Sequence, residues 1–144
     1  MRISDILRSK SGDGASVISI APDATVAELV AQLAEHSIGA LIVTNRSKIV
    51  GIVSERDVVR RLNSDGPDVL TGHVRDLMTS PVTTCAPTDQ VDEIAETMTQ
   101  RRFRHMPVVD GGRLVGVVSI GDVVKNRIRE LEQDRSQLEQ YVTG

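Results

Sequence analysis

Apolar positions in this chain come in short β-branched runs alternating with stripes at helical spacing, and the order of these pieces occurs twice. Val17 to Ile20 and Val82 to Cys85 each read as a strand that ends before a proline, Pro22 or Pro87, because proline cannot serve a central ladder. Val26, Leu29, Val30 and Leu33 then lie on one helical face, as do Val91, Ile94, Ala95 and Met98. Thr25 and Glu28 have the spacing of a capping box for the first of these helices. Gln90 stands at the matching place in the second, so its cap is expected from Thr88 or Asp89.

Two further runs follow in each half, Ala40 to Thr44 with Ile49 to Val53, and Met106 to Val109 with Leu114 to Val118. Asn45-Arg46-Ser47-Lys48 and Asp110-Gly111-Gly112-Arg113 join them as hairpin turns. A second helix is expected from Ser54 and from Ser119.

The halves are copies. Val17 to Val59 aligns without gaps on Val82 to Val124, with 13 identities in 43 positions, among them Pro22/Pro87, Gly51/Gly116, Ser54/Ser119 and Asp57/Asp122. Upstream, Asp5-Ile6-Leu7 resembles Asp76-Leu77-Met78, which leaves the first copy about six extra residues around Ser9 to Gly14. The expected fold is α+β: two tandem β-α-β-β-α repeats, 1–66 and 67–125, and an amphipathic C-terminal helix, 126–144. Neither repeat is long enough to bury a good core alone, so they are expected to pack face to face about a pseudo-two-fold axis.

Composition narrows the chemistry. A net charge of -3 gives no general electrostatic grip on nucleic acid, and one Phe with one Tyr and no Trp gives no stacking platform. The lone Cys85 excludes an internal disulfide and a multi-thiolate metal site, and reads as a small buried hydrophobe. His36 and His73 lack metal-ligand spacing. With no apolar run of signal or membrane length, the expected compartment is the cytoplasm, without membrane association. No nucleophile elbow, Walker or zinc motif occurs, so catalysis is not expected.

The candidate chemistry lies where the last strand of each copy meets its last helix, in Gly51-Ile-Val-Ser54-Glu-Arg-Asp57 and Gly116-Val-Val-Ser119-Ile-Gly-Asp122. One reading is structural: Ser caps the helix and Asp completes the box. The other is functional: free N–H groups at a helix start attract an anion, and an acceptor-only carboxylate suits ribose hydroxyls. A glycine inside a strand suggests that a ligand or another backbone comes close.

These two motifs, the strand-Pro-helix units and Arg104-His105-Met106-Pro107-Val108-Val109 resemble a tandem CBS-domain pair, a Bateman module, over nearly the whole chain. Ser119 to Lys125 followed by a charged helix is similar to small stand-alone bacterial members. The resemblance implies regulatory binding of an adenosine ligand, AMP, ADP, ATP, NAD(H) or S-adenosylmethionine, in clefts between repeats. It assigns Asp57 and Asp122 to ribose, and Ser54 and Ser119 to phosphate or ribose. Val17, Ile18, Ala40, Leu41, Val82, Thr83, Met106 and Pro107 become walls around adenine. Arg104 and His105 fall where phosphate contacts stand in related modules. Gly39 and Ala40 replace them in the first copy, leaving Arg56 as its nearest cation, so the two sites are expected to be unequal. Lys10, Arg101 and Arg102 are either solvated or phosphate contacts. An interaction scaffold that has lost ligand affinity is the alternative.

In the tail, Val124, Ile128, Leu131, Leu138 and Val142 form a strip that Arg135 interrupts. It is expected to pack on the module or on a symmetry mate, which favours a homodimer.

Overall fold

The computed structural model describes residues 1–10 and 18–143. Its elements are α1 (Ile3–Lys10), β1 (Ser19–Ile20), α2 (Val26–His36), β2 (Ala40–Asn45), β3 (Lys48–Ser54), α3 (Glu55–Asp65), a 3-10 turn (Pro67–Thr71), α4 (Val74–Leu77), α5 (Val91–Arg101), β4 (His105–Asp110), β5 (Arg113–Ser119) and α6 (Ile120–Thr143). The duplication is visible residue for residue: α2 and α5, β2 and β4, and β3 and β5 each begin and end 65 positions apart (26 and 91, 40 and 105, 48 and 113).

The β1–β2–β3 sheet has β1 parallel to β2, with Ser19 opposite Ile42, and β2 antiparallel to β3, with Ala40 opposite Ser54. In the second copy the leading strand shrinks to one parallel bridge, Cys85 with Val108. Val82 and Thr83 are not in a strand, so the run predicted from Val82 to Cys85 is extended chain that pairs only at its end. The hairpin turns are as expected. Arg46 and Ser47 take φ of 51° and 67°, and Gly111 and Gly112 take 57° and 80°, the left-handed pair that matches strand twist. The first copy makes this turn without glycine and carries the steric cost of two Cβ atoms.

Packing divides the chain into two compact units. One joins α1 to α5, most of the β4–β5 hairpin and α6; the other holds the first repeat from β1 through α3 together with the segment that follows it. Leu29, Val43, Val53 and Val74 are fully buried in the core of the latter, and Ile3, Met98, Met106 and Val108 in that of the former. Burial of each such side chain contributes roughly 1.5–3 kcal/mol.

Units of packing therefore differ from units of repetition, because the piece ahead of each repeat docks on the other one. Ile3 N donates to Asp89 O at 3.0 Å, Ser4 N to Pro87 O at 2.9 Å, and Val91 N to Met1 O at 2.9 Å. The same three bonds recur as Val74 N to Ala24 O, Arg75 N to Pro22 O, and Val26 N to Gly72 O, at 2.9, 2.9 and 3.0 Å. The cap expected for α5 from Thr88 or Asp89 is replaced by this arrangement. Asp89 instead accepts from Ala86 N at 2.8 Å, and the Met1 carbonyl takes the first amide of α5. The box predicted at α2 forms: Glu28 N donates to Thr25 Oγ1 and Thr25 N to the Glu28 carboxylate.

The exchange also explains the two motif glycines. A Cβ at Gly51 would lie 2.6 Å from Met78 Sδ, and one at Gly116 would lie 2.6 Å from Leu7 Cδ2. What approaches these strands is a side chain of the docked segment, which corrects the expectation of a ligand or another backbone.

Candidate functional site

Both Gly-x-x-Ser-x-x-Asp motifs build a strand end, a serine cap and the first turn of a helix. In the first copy Asp57 N donates to Ser54 Oγ at 3.3 Å, while Ser54 N and Oγ donate to Asp57 Oδ2 at 2.8 and 3.0 Å. In the second, Asp122 N donates to Ser119 Oγ at 3.1 Å and Ser119 N to Asp122 Oδ2 at 2.9 Å. The structural reading of the motif is thus realised in both, and such a box stabilises a helix start by roughly 0.5–2 kcal/mol. Every one of these bonds to a carboxylate falls on Oδ2.

The residue before each preceding strand closes the site from the other side. Glu55 N donates to Gly39 O at 3.0 Å, and Ile120 N donates to Arg104 O at 2.9 Å. Gly39 and Arg104 are therefore true counterparts, and Arg104 stands at the helix start beside Ser119. The first copy gathers Ala40, Ser54, Arg56 and Asp57; the second gathers Arg104, Ser119 and Asp122, with His105 opening β4. Arg56 and Arg104 are exposed, and Ser54, Asp57, His105, Ser119 and Asp122 are half-buried.

The other predicted wall residues differ in burial. Leu41 and Met106 are each 1% exposed and fill the two cores, and Pro107 is buried beside Met106. Ile18 is partly buried against the first core, and Val82 and Thr83 are half-buried. Val17 lies outside the described residues, as do Ser11 to Gly14 of the insertion. Arg101 lies over the Phe103 ring at 5.3 Å, and Arg102 takes the left-handed position that ends α5.

Lys10 is the contact that sequence did not reveal. Its Nζ donates to Asp122 Oδ2 at 2.8 Å and to Val117 O at 2.9 Å. Burial, the largest influence on the Asp122 carboxyl, pushes its pKa up, but the Lys10 and Ser119 hydrogen bonds and the Lys10 charge together hold it below the ordinary value of 3.8. Asp57 has no such cation within ion-pair distance among the described residues. At offset 71 the counterpart of Lys10 is Pro81, so the two copies differ here in kind.

Cys85 is buried as expected, with its thiol pushed up to about 11 by burial and by the Asp89 charge. Among the described residues there is no group of His, Cys, Asp and Glu able to hold a metal ion, and no helix long and apolar enough to cross a membrane.

Comparison with known proteins bears on the family and the fold. The CBS domain model matches residues 3–64 and 74–129. A mitochondrial CBS domain-containing protein of Arabidopsis thaliana is 34% identical over 149 residues, spanning 99% of this chain and 72% of that protein. The crystal structure of a CBS-domain containing protein from Agrobacterium tumefaciens is 39% identical with a TM-score of 0.82, covering 88% of this chain and 99% of that one. A CBS domain protein from Pyrobaculum aerophilum, solved as a complex with AMP, is 33% identical with a TM-score of 0.73, covering 85% and 89%.

Proposed function

This chain belongs to the CBS domain family, and we propose that it is a regulatory module that binds an adenine nucleotide without transforming it. The observation that carries this reading is the doubled helix start, with Ser54 and Asp57 in one copy and Ser119 and Asp122 in the other. In each, the capping bonds use Oδ2 of the aspartate, which leaves Oδ1 as the acceptor for a ribose hydroxyl. The helix amides and the serine hydroxyl favour the anionic phosphate. The AMP complex of the Pyrobaculum relative supports the same ligand class. Ligand identity lies within AMP, ADP, ATP and NAD(H), and occupancy reports energy or redox state by shifting the population of the module's conformations. Arg104 gives the second site a cation where the first has Gly39 and only Arg56 nearby, so the two sites are unequal and the second favours ligands with more phosphate charge.

A scaffold without ligand affinity is the second reading. One observation favours it for the second copy: Lys10 already neutralises Asp122. Calorimetry with AMP, ADP, ATP and NADH, alongside mass spectrometry of small molecules released from gently purified protein, separates the two. Saturable heat with unchanged nucleotide supports the sensor. No heat, no thermal shift and no co-purified nucleotide leave the scaffold.

A further inference from the structure

The helix α6 is 24 residues long, roughly 36 Å at 1.5 Å per residue. Beyond Glu130 it runs without cover: every residue from Leu131 to Val142 is exposed. Ile128, Leu131, Leu138 and Val142 are 51%, 55%, 66% and 81% exposed. Together with Val124 they follow the three/four spacing of a heptad seam, with Arg135 at the one position between Leu131 and Leu138. A helical extension of about a dozen residues is marginal alone in water, and this one exposes apolar side chains along one face. Among the described residues none covers that face.

We propose that the seam is covered by α6 of a second copy, running antiparallel, with Leu131 of each copy facing Arg135 of the other. The argument is charge and register. In a parallel pair Arg135 meets the partner's Arg135 inside the apolar seam, and Asp134 flanks the partner's Glu139, so like charges meet three times (one Arg pair and two carboxylate pairs) against two attractions of Arg127 for the partner's Glu132. Reversing one helix removes these clashes. Val124 then faces the partner's Val142, and Ile128 faces the partner's Leu138. Lys125 lies beside the partner's Glu139 at both ends. At the centre, each Arg135 stands between the partner's Glu132 and Asp134, which offsets the approach of those carboxylates to their own copies. Such a pair is self-complementary about a two-fold axis and closes as a dimer.

Cysteine cross-linking of the full chain reads the orientation directly. In the antiparallel register, positions 128 and 138 of opposite copies share a layer. The two positions 128 lie ten residues apart along the axis, roughly 15 Å, beyond the 4.4–6.8 Å Cα separation of a disulfide. Under mild oxidation, a mixture of Ile128→Cys and Leu138→Cys chains should form a linked heterodimer, while either variant alone stays unlinked. The buried Cys85 adds no background, with wild type as control. Self-linking of each variant alone means a parallel pair and overturns the proposal. A monomer in sedimentation at about 100 μM overturns it too. Leu138→Asp changes an exposed position, so the chain still folds, and its dimer should dissociate at least tenfold more readily. An unchanged dimer in that variant also overturns the proposal.

Discussion

Lys10 and Asp122 lie 112 positions apart in sequence, yet Nζ of one is 2.8 Å from Oδ2 of the other. The pair fastens the end of α1 to the start of α6, at the aspartate whose counterpart, Asp57, has no cation partner among the described residues. Because the folded carboxyl has a depressed pKa, the stability it contributes is full above its unfolded value of about 3.8. That stability is lost as pH falls through the folded value.

Lys10→Met should therefore lower the melting temperature at neutral pH and have no further effect in strong acid. Both side chains keep contact with solvent, so the loss is on the order of 1 kcal/mol or less, roughly 1–4 °C. Thermal melts of both proteins at pH 7 and about pH 2 check it. Equal gaps at the two pH values would mean that the lysine acts by packing rather than by charge.

Substitutions at the second site should separate phosphate from ribose. Charge-assisted hydrogen bonds contribute roughly 1.5–3 kcal/mol, so Arg104→Ala should weaken AMP by about one to two decades and adenosine far less. Asp122→Ala should weaken both alike, since the ribose is common to them. Titration calorimetry with both ligands decides. Equal losses in Arg104→Ala would reduce Arg104 to a residue that only lends its carbonyl to α6.

Gly116→Ala puts a Cβ 2.6 Å from Leu7 Cδ2 and should destabilise by about 1–3 kcal/mol. The clash depends on Leu7, so Gly116→Ala with Leu7→Ala should lose less than the sum of the two single changes. Denaturant unfolding of the four proteins gives that coupling energy. Additive losses would show that the glycine has another reason to be there.

In the first hairpin, Arg46 and Ser47 hold positive φ where the second has Gly111 and Gly112. Replacing them together with Asn and Gly should stabilise the protein by about 1 kcal/mol, seen as a higher denaturation midpoint with an unchanged slope.

The repeat, its register and its hydrogen-bonding motif were all readable from the amino-acid order. They depend on local rules: β-branched runs, helical spacing, turn residues, and the reach of a serine to an amide three residues on. Those rules set the helix and strand starts 65 positions apart and both capping boxes. They also placed Arg104 opposite Gly39, a pairing made concrete by the matching carbonyl contacts at the starts of α3 and α6. Tertiary packing decided the rest. Leu7 and Met78 are equivalent in sequence, but no local signal says which repeat each covers; each crosses to the other, because the open end of a neighbouring helix and the bare face of a glycine strand receive it there. For the same reason Leu41 and Met106 turned inward to fill cores, although their position beside the motif suited a ligand wall equally well. The Lys10–Asp122 pair belongs to this class too: a charge's partner is set by which distant surfaces meet, and periodicity carries no record of that.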